Sequence, residues 1–114
     1  MVSKEEKYAF LKEVESLVWK PIKELGYQLD YVKNNESFQR ACQENPEILS
    51  EFQQISDMLD ELAFIWQYFS YSVYLSDDLS EADDGLITLL DNLEKLKKHW
   101  QQFLEKYSIG IIFV

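Results

Sequence analysis

The feature that most limits what this chain can become starts at Asn45-Pro46. Asparagine is a strong N-cap, proline at the first helical position has no N–H to lose, and Glu47 suits the positive end of a helix. Ile48, Phe52, Ile55, Leu59, Leu62, Trp66, Phe69 and Val73 then follow at alternating spacings of four and three. A seam of that kind predicts one long amphipathic helix over 46–75 that packs against other helices. A second seam, Leu86, Leu89, Leu93, Leu96, Trp100, Phe103 and Tyr107, is flanked by Glu94, Lys95, Lys98 and Gln102 and predicts a helix over 86–107. Residues 76–85 are polar and numerous enough to reverse the chain, so the two helices are expected to be antiparallel neighbours.

The first third of the chain is less regular. Ser3 and Glu6 have capping-box spacing. Phe10, Val14, Leu17, Val18, Ile22 and Leu25 recur at helical spacing, with Gly26 as the expected stop. Pro21 lacks the N–H that would meet the Leu17 carbonyl, which predicts a kink or break near Trp19–Lys20. Tyr27, Leu29 and Tyr31 alternate with Gln28, Asp30 and Val32, which suggests a strand over 27–32, and Asn34-Asn35 suggests a turn. A short helix over 36–44 would bury Phe38 and Ala41. The apolar end, residues 109–114, is a second strand candidate and could pair with the first.

The resulting fold class is mainly α: a three- to four-helix bundle dominated by the pair at 46–75 and 86–107, with one or two short strands near 27–32 and 109–114. At 114 residues the chain is expected to form one helical domain, 1–114, with a core of its own. Three glycines and two prolines are too few for the turns of an all-β protein.

The central helix changes character midway. Its outer positions are carboxylates in the first half (Glu47, Asp57, Asp60, Glu61) and Phe64, Tyr68, Tyr71, Tyr74 and Leu75 in the second. A helix that is apolar all round is covered all round. The simpler cover is another element of this chain, either the first helix or residues 109–114; the alternative is a partner chain, most naturally a second copy. Thirty helical residues span about 45 Å, whereas a compact globule of this size is only about 34 Å across. The helix must therefore bend, or the molecule must be elongated.

Charge limits the function. Between Arg40 and Lys95 there is no lysine, arginine or histidine, yet there are thirteen carboxylates, Glu44, Glu47, Glu51, Asp57, Asp60, Glu61, Asp77, Asp78, Glu81, Asp83, Asp84, Asp91 and Glu94. The net charge of −10 therefore divides into −13 for this middle stretch and +3 for the ends. Such a field repels nucleic acid and anionic membrane and attracts basic proteins. The run Phe64, Trp66, Tyr68, Phe69, Tyr71 and Tyr74 could stack bases, but it lacks the basic groove that single-stranded binders need. The longest uncharged stretch, residues 62–76, falls short of a membrane span, and the charged N-terminus lacks a signal-peptide pattern. A lone cysteine, Cys42, excludes an internal disulfide and suits a reducing compartment. The expected setting is the cytoplasm.

Catalytic chemistry finds little support. A calcium loop aligned on Gly85 would start at Ser80 and put Ala82 at a ligand position, so the acidic link reads as a solvated loop. A di-iron bundle needs more than one histidine, and this chain has only His99. Cys42 has no evident activating base and reads as small core filler. Residues 40–45 echo the Arg-x4-His spacing of some helical RNases without the histidine. No cofactor is expected.

The sequence thus points to a small acidic, non-enzymatic protein that acts by stoichiometric binding to a basic protein. Within that class an inhibitor is favoured: an immunity protein for a nuclease toxin, or a phage-type inhibitor of a nucleic-acid enzyme. The candidate partner-binding residues are Glu47, Glu51, Asp57, Asp60 and Glu61, then the loop carboxylates Asp77, Asp78, Asp83 and Asp84, with Tyr68, Tyr71 and Tyr74 as anchors if the aromatic face is open. The competing expectation is an assembly subunit that forms a homo-oligomer through that face.

Overall fold

A computed structural model describes residues 2–80 and 82–107, all of which fall in helices or in the short links between them. Five α-helices follow one another: α1 (Lys4–Val14), α2 (Lys20–Lys33), α3 (Glu36–Glu44), α4 (Pro46–Leu75) and α5 (Ala82–Lys106). A widened π turn, Glu15–Trp19, joins α1 to α2 without a break. The chain therefore makes three long rods, α1–α2, α4 and α5, with α3 as a one-sided link.

Local chemistry sets most of the boundaries. Ser3 accepts a hydrogen bond from the Glu6 N–H (3.1 Å) at the start of α1. Asn35 does the same for Phe38 (3.1 Å) at α3, and Asn45 for Glu47 (3.2 Å) at α4, with Pro46 at the first position. After Leu75 the backbone turns extended at Ser76, whose hydroxyl donates to the Asp78 carbonyl (2.6 Å).

The rods run up, down and up. The Val2 N–H donates to the Asp77 carbonyl (2.9 Å) and Lys7 Nζ to the Tyr74 carbonyl (3.2 Å), which ties the start of α1 to the end of α4. At the other end Trp100 Nε1 donates to Gln28 Oε1 (2.9 Å), linking the late part of α5 to the late part of α2. The core is one apolar column. Near its middle Trp19 stacks on Trp66, with centroids 6.3 Å apart. Towards the α3 end Phe52 meets Phe38, Trp100 and Phe103 at 5.1 to 6.2 Å. Among the described residues no polar or charged residue is buried.

Two expectations need correction and a third is met in part. Residues 27–32 are not a strand but the last turns of α2. Leu25, Leu29 and Val32 are buried at helical spacing, and the alternation of tyrosines with polar residues lies on the exposed side. Gly26 does not stop that helix; it lies within α2, where it faces Leu59. Pro21 does interrupt the regular ladder next to Trp19–Lys20, as expected, but the rod continues through it. Over Glu15–Trp19 the ladder shifts to a wider pairing, with the Lys20 N–H on the Glu15 carbonyl, which opens the backbone where the proline ring would strike the Leu17 carbonyl. The shift leaves Val18 fully buried and Leu17 half exposed. Residues 109–114, the other strand candidate, lie outside the described residues.

The molecule is elongated: 58 × 24 × 17 Å with a radius of gyration of 17.1 Å, against the ~13 Å of a compact globule of this length. Of the two outcomes that the length of α4 allowed, bending or elongation, the second holds.

The two glycines set in helices behave oppositely. A Cβ on Gly26 would meet Leu59 Cδ2 at 3.8 Å, an ordinary contact, whereas on Gly85 it would sit 2.8 Å from Phe69 Cδ2, inside van der Waals range. Gly26→Ala should raise the unfolding free energy by about 0.5–1 kcal/mol through helix propensity. Gly85→Ala should lower it by about 1–3 kcal/mol through overpacking. Urea denaturation followed by circular dichroism reads both signs.

Candidate functional surface of α4

Covering of the outer aromatic positions by the chain itself, the simpler of the two expectations, does not occur among the described residues. Phe64 is 68% exposed, Tyr68 70%, Tyr71 64% and Leu75 61%. These four follow one another at spacings of four, three and four, and extending the same spacing backwards reaches Glu61 and Asp57. The helix thus carries two seams. One, Ile48 to Val73, is buried under the α1–α2 rod, α3 and α5. The other, Asp57, Glu61, Phe64, Tyr68, Tyr71 and Leu75, runs along the opposite side, acidic for its first two positions and apolar for the last four.

Geometry sorts the anticipated carboxylates into three groups. Asp57, Asp60 and Glu61 are exposed beside the apolar stripe, and their side chains meet no cation among the described residues. Glu47, Asp77, Asp83 and Asp84 are exposed and likewise without an ion pair there, but none belongs to the outer seam. Asp83 and Asp84 occupy the first turn of α5, where the helix dipole already favours them. Glu51 and Asp78 are engaged. Lys106 Nζ donates to Glu51 Oε1 at 2.7 Å, bridging α5 to α4 and holding the Glu51 carboxyl below its ordinary range. Asp78 accepts from the Ser80 hydroxyl (2.6 Å) and N–H (3.0 Å), which depresses its pKa and shapes the link. These two carboxylates have structural work to do.

Tyr74 is exposed but sits roughly a quarter turn from the stripe, at ~100° per residue. Its carbonyl is the acceptor for Lys7. Phe64 and Leu75 join Tyr68 and Tyr71 instead. The signal for them was present as the second run of four-three-four spacing, overshadowed by the stronger seam beside it.

Other candidates for chemistry are plain. His99 is exposed on α5. Cys42 is half-buried against the core from α3, and burial pushes its thiol pKa up, which keeps it protonated. Among the described residues no three His, Cys, Asp or Glu side chains converge as metal ligands, and no helix is long and apolar enough to cross a membrane.

The Glu51–Lys106 contact predicts a titration. A carboxyl with a depressed folded-state pKa contributes stability that is complete above the ordinary carboxylate range and is lost as pH falls through the depressed value. In an NMR titration of side-chain carboxyls, Glu51 should protonate at lower pH than a glutamate in a short unstructured peptide, and Lys106→Gln should raise its midpoint towards that reference. Comparison with protein-family models, curated proteins and solved structures returns no match, so the functional reading rests on these residues alone.

Proposed function

We propose that this is a small non-enzymatic protein that binds a basic protein partner stoichiometrically and inhibits it. The partner class that fits best is a nucleic-acid-handling enzyme, so that the protein would serve as an immunity protein for a nuclease toxin or as a phage-type inhibitor. The single observation behind this reading is that Asp57, Asp60 and Glu61 stand exposed together on the open side of α4 and make no ion pair among the described residues. Carboxylates left unpaired this way on a rod steer a cationic surface into contact, and they can occupy a site that otherwise receives phosphates.

A second reading, an assembly subunit, draws on the exposure of Phe64, Tyr68, Tyr71 and Leu75. It requires a stable homo-oligomer, which sedimentation equilibrium of the purified chain measures directly.

Affinity capture from the native host separates the two readings further. Bait carrying Asp57→Lys, Asp60→Lys and Glu61→Lys should lose a basic enzyme that wild-type bait retains at low salt, and that enzyme should be inhibited at a one-to-one ratio. Its association with the variant should slow by about tenfold or more at low salt. Retention of the same partners by both baits removes the acidic-surface mechanism.

A further inference from the structure

The exposed seam of α4 has a shape as well as a charge. We propose that it docks an amphipathic helix of the basic partner, with apolar side chains of that helix on Phe64, Tyr68, Tyr71 and Leu75 and its lysines or arginines on Asp57, Asp60 and Glu61. The inference rests on the basic-partner reading above and adds the form of the contact.

Periodicity carries the first part. The outer seam repeats at the same four-and-three spacing as the buried seam of the same helix, which receives α5. Side chains at that spacing stay in line along an α-helix, so what lies along them most completely is another helix. The apolar stretch is large enough to matter. Four such side chains at this exposure present on the order of 500 Å², a size at which a contiguous patch on a soluble protein marks an interaction site. Three of the four are aromatic and two of those are tyrosines, whose hydroxyls tolerate water while the surface is unoccupied.

Charge decides the occupant. A second copy laid parallel would set Asp57, Asp60 and Glu61 against themselves. That arrangement opposes acid to acid along the seam, which disfavours it. A basic helix meets no such penalty. From Asp57 to Leu75 the seam runs about 27 Å at ~1.5 Å per residue, so the complementary helix has about 18 residues. An antiparallel course brings its C-terminal turns beside Asp57, Asp60 and Glu61. Lysine or arginine there gains from the carboxylates and from the helix's own negative end.

The test is a display library of helical peptides of about 18 residues, selected on the full chain at low salt. Enriched peptides should carry apolar residues at spacings of four, three and four, followed towards their C-terminus by lysine or arginine. Their affinity should fall at least about tenfold for the double variant Tyr68→Gln, Tyr71→Gln, and similarly for Asp57→Lys, Asp60→Lys, Glu61→Lys. A peptide whose basic residues are changed to glutamate should regain binding to the charge-reversed protein. Helical circular dichroism of each variant establishes that it is folded. A library that yields no binders, or binders indifferent to the tyrosine pair, overturns the docking mode, as does a dimer in sedimentation that Tyr71→Lys dissolves. The two levels separate cleanly. Binding of the host partner that is lost on charge reversal but unchanged by the tyrosine pair removes helix docking and leaves the basic-partner reading; binding unchanged by both removes both.

Discussion

Everything in this fold depends on α4 being enclosed along one side only. Each aromatic group in the core touches it: Phe52 gathers Phe38, Trp100 and Phe103, Trp66 carries Trp19, and Phe69 meets Phe10. Without that seam the other rods would have little apolar surface in common. Three rods of similar length laid side by side give a long, thin molecule, in which α4 has neighbours on one side and, among the described residues, none opposite. The open surface is therefore a direct result of how few helices there are.

That geometry accounts for the division among the carboxylates. Where α4 borders α5, a lysine can reach across, and Glu51 takes Lys106. Where the chain turns between α4 and α5, Asp78 is drawn into the loop by Ser80. On the open side Asp57, Asp60 and Glu61 are exposed and make no ion pair among the described residues. Sequence alone treated these groups as one acidic field; the bundle separates them by which side of a rod they occupy.

The sequence made legible what is settled by local chemistry. Asparagine caps followed by apolar periodicity set the starts of α3 and α4 at the expected residues. The antiparallel pair followed from two seams and a polar link, although α5 begins before its first seam residue. The failures share a different cause. In 27–32 the exposed tyrosines imitated a strand, because side-chain alternation is ambiguous over so short a run, and only packing of Leu29 and Val32 beside Leu25 resolves it. Gly26 read as a stop because glycine is a poor helix former, yet tertiary contact with α4 outweighs that cost. Of the covers expected for the outer aromatic face, the first helix packs on the buried side of α4 instead, and residues 109–114 fall outside the described residues. Of the candidate surface, Tyr68, Tyr71 and the three carboxylates beside them were anticipated as contact residues, while Phe64 and Leu75 were placed on the same outer face but not counted among them.

The widened turn before Pro21 ties two features of the chain into one inherited unit. It holds one residue more than a regular helix would, and the proline sits where a regular helix would collide with it. Dropping a residue from 15–19 restores the ordinary period but drives the ring onto the carbonyl of Leu17; replacing the proline alone leaves a surplus residue with nothing to excuse it. The two changes are therefore coupled: either alone leaves the backbone at odds with the residue that remains, and together they restore an ordinary helix.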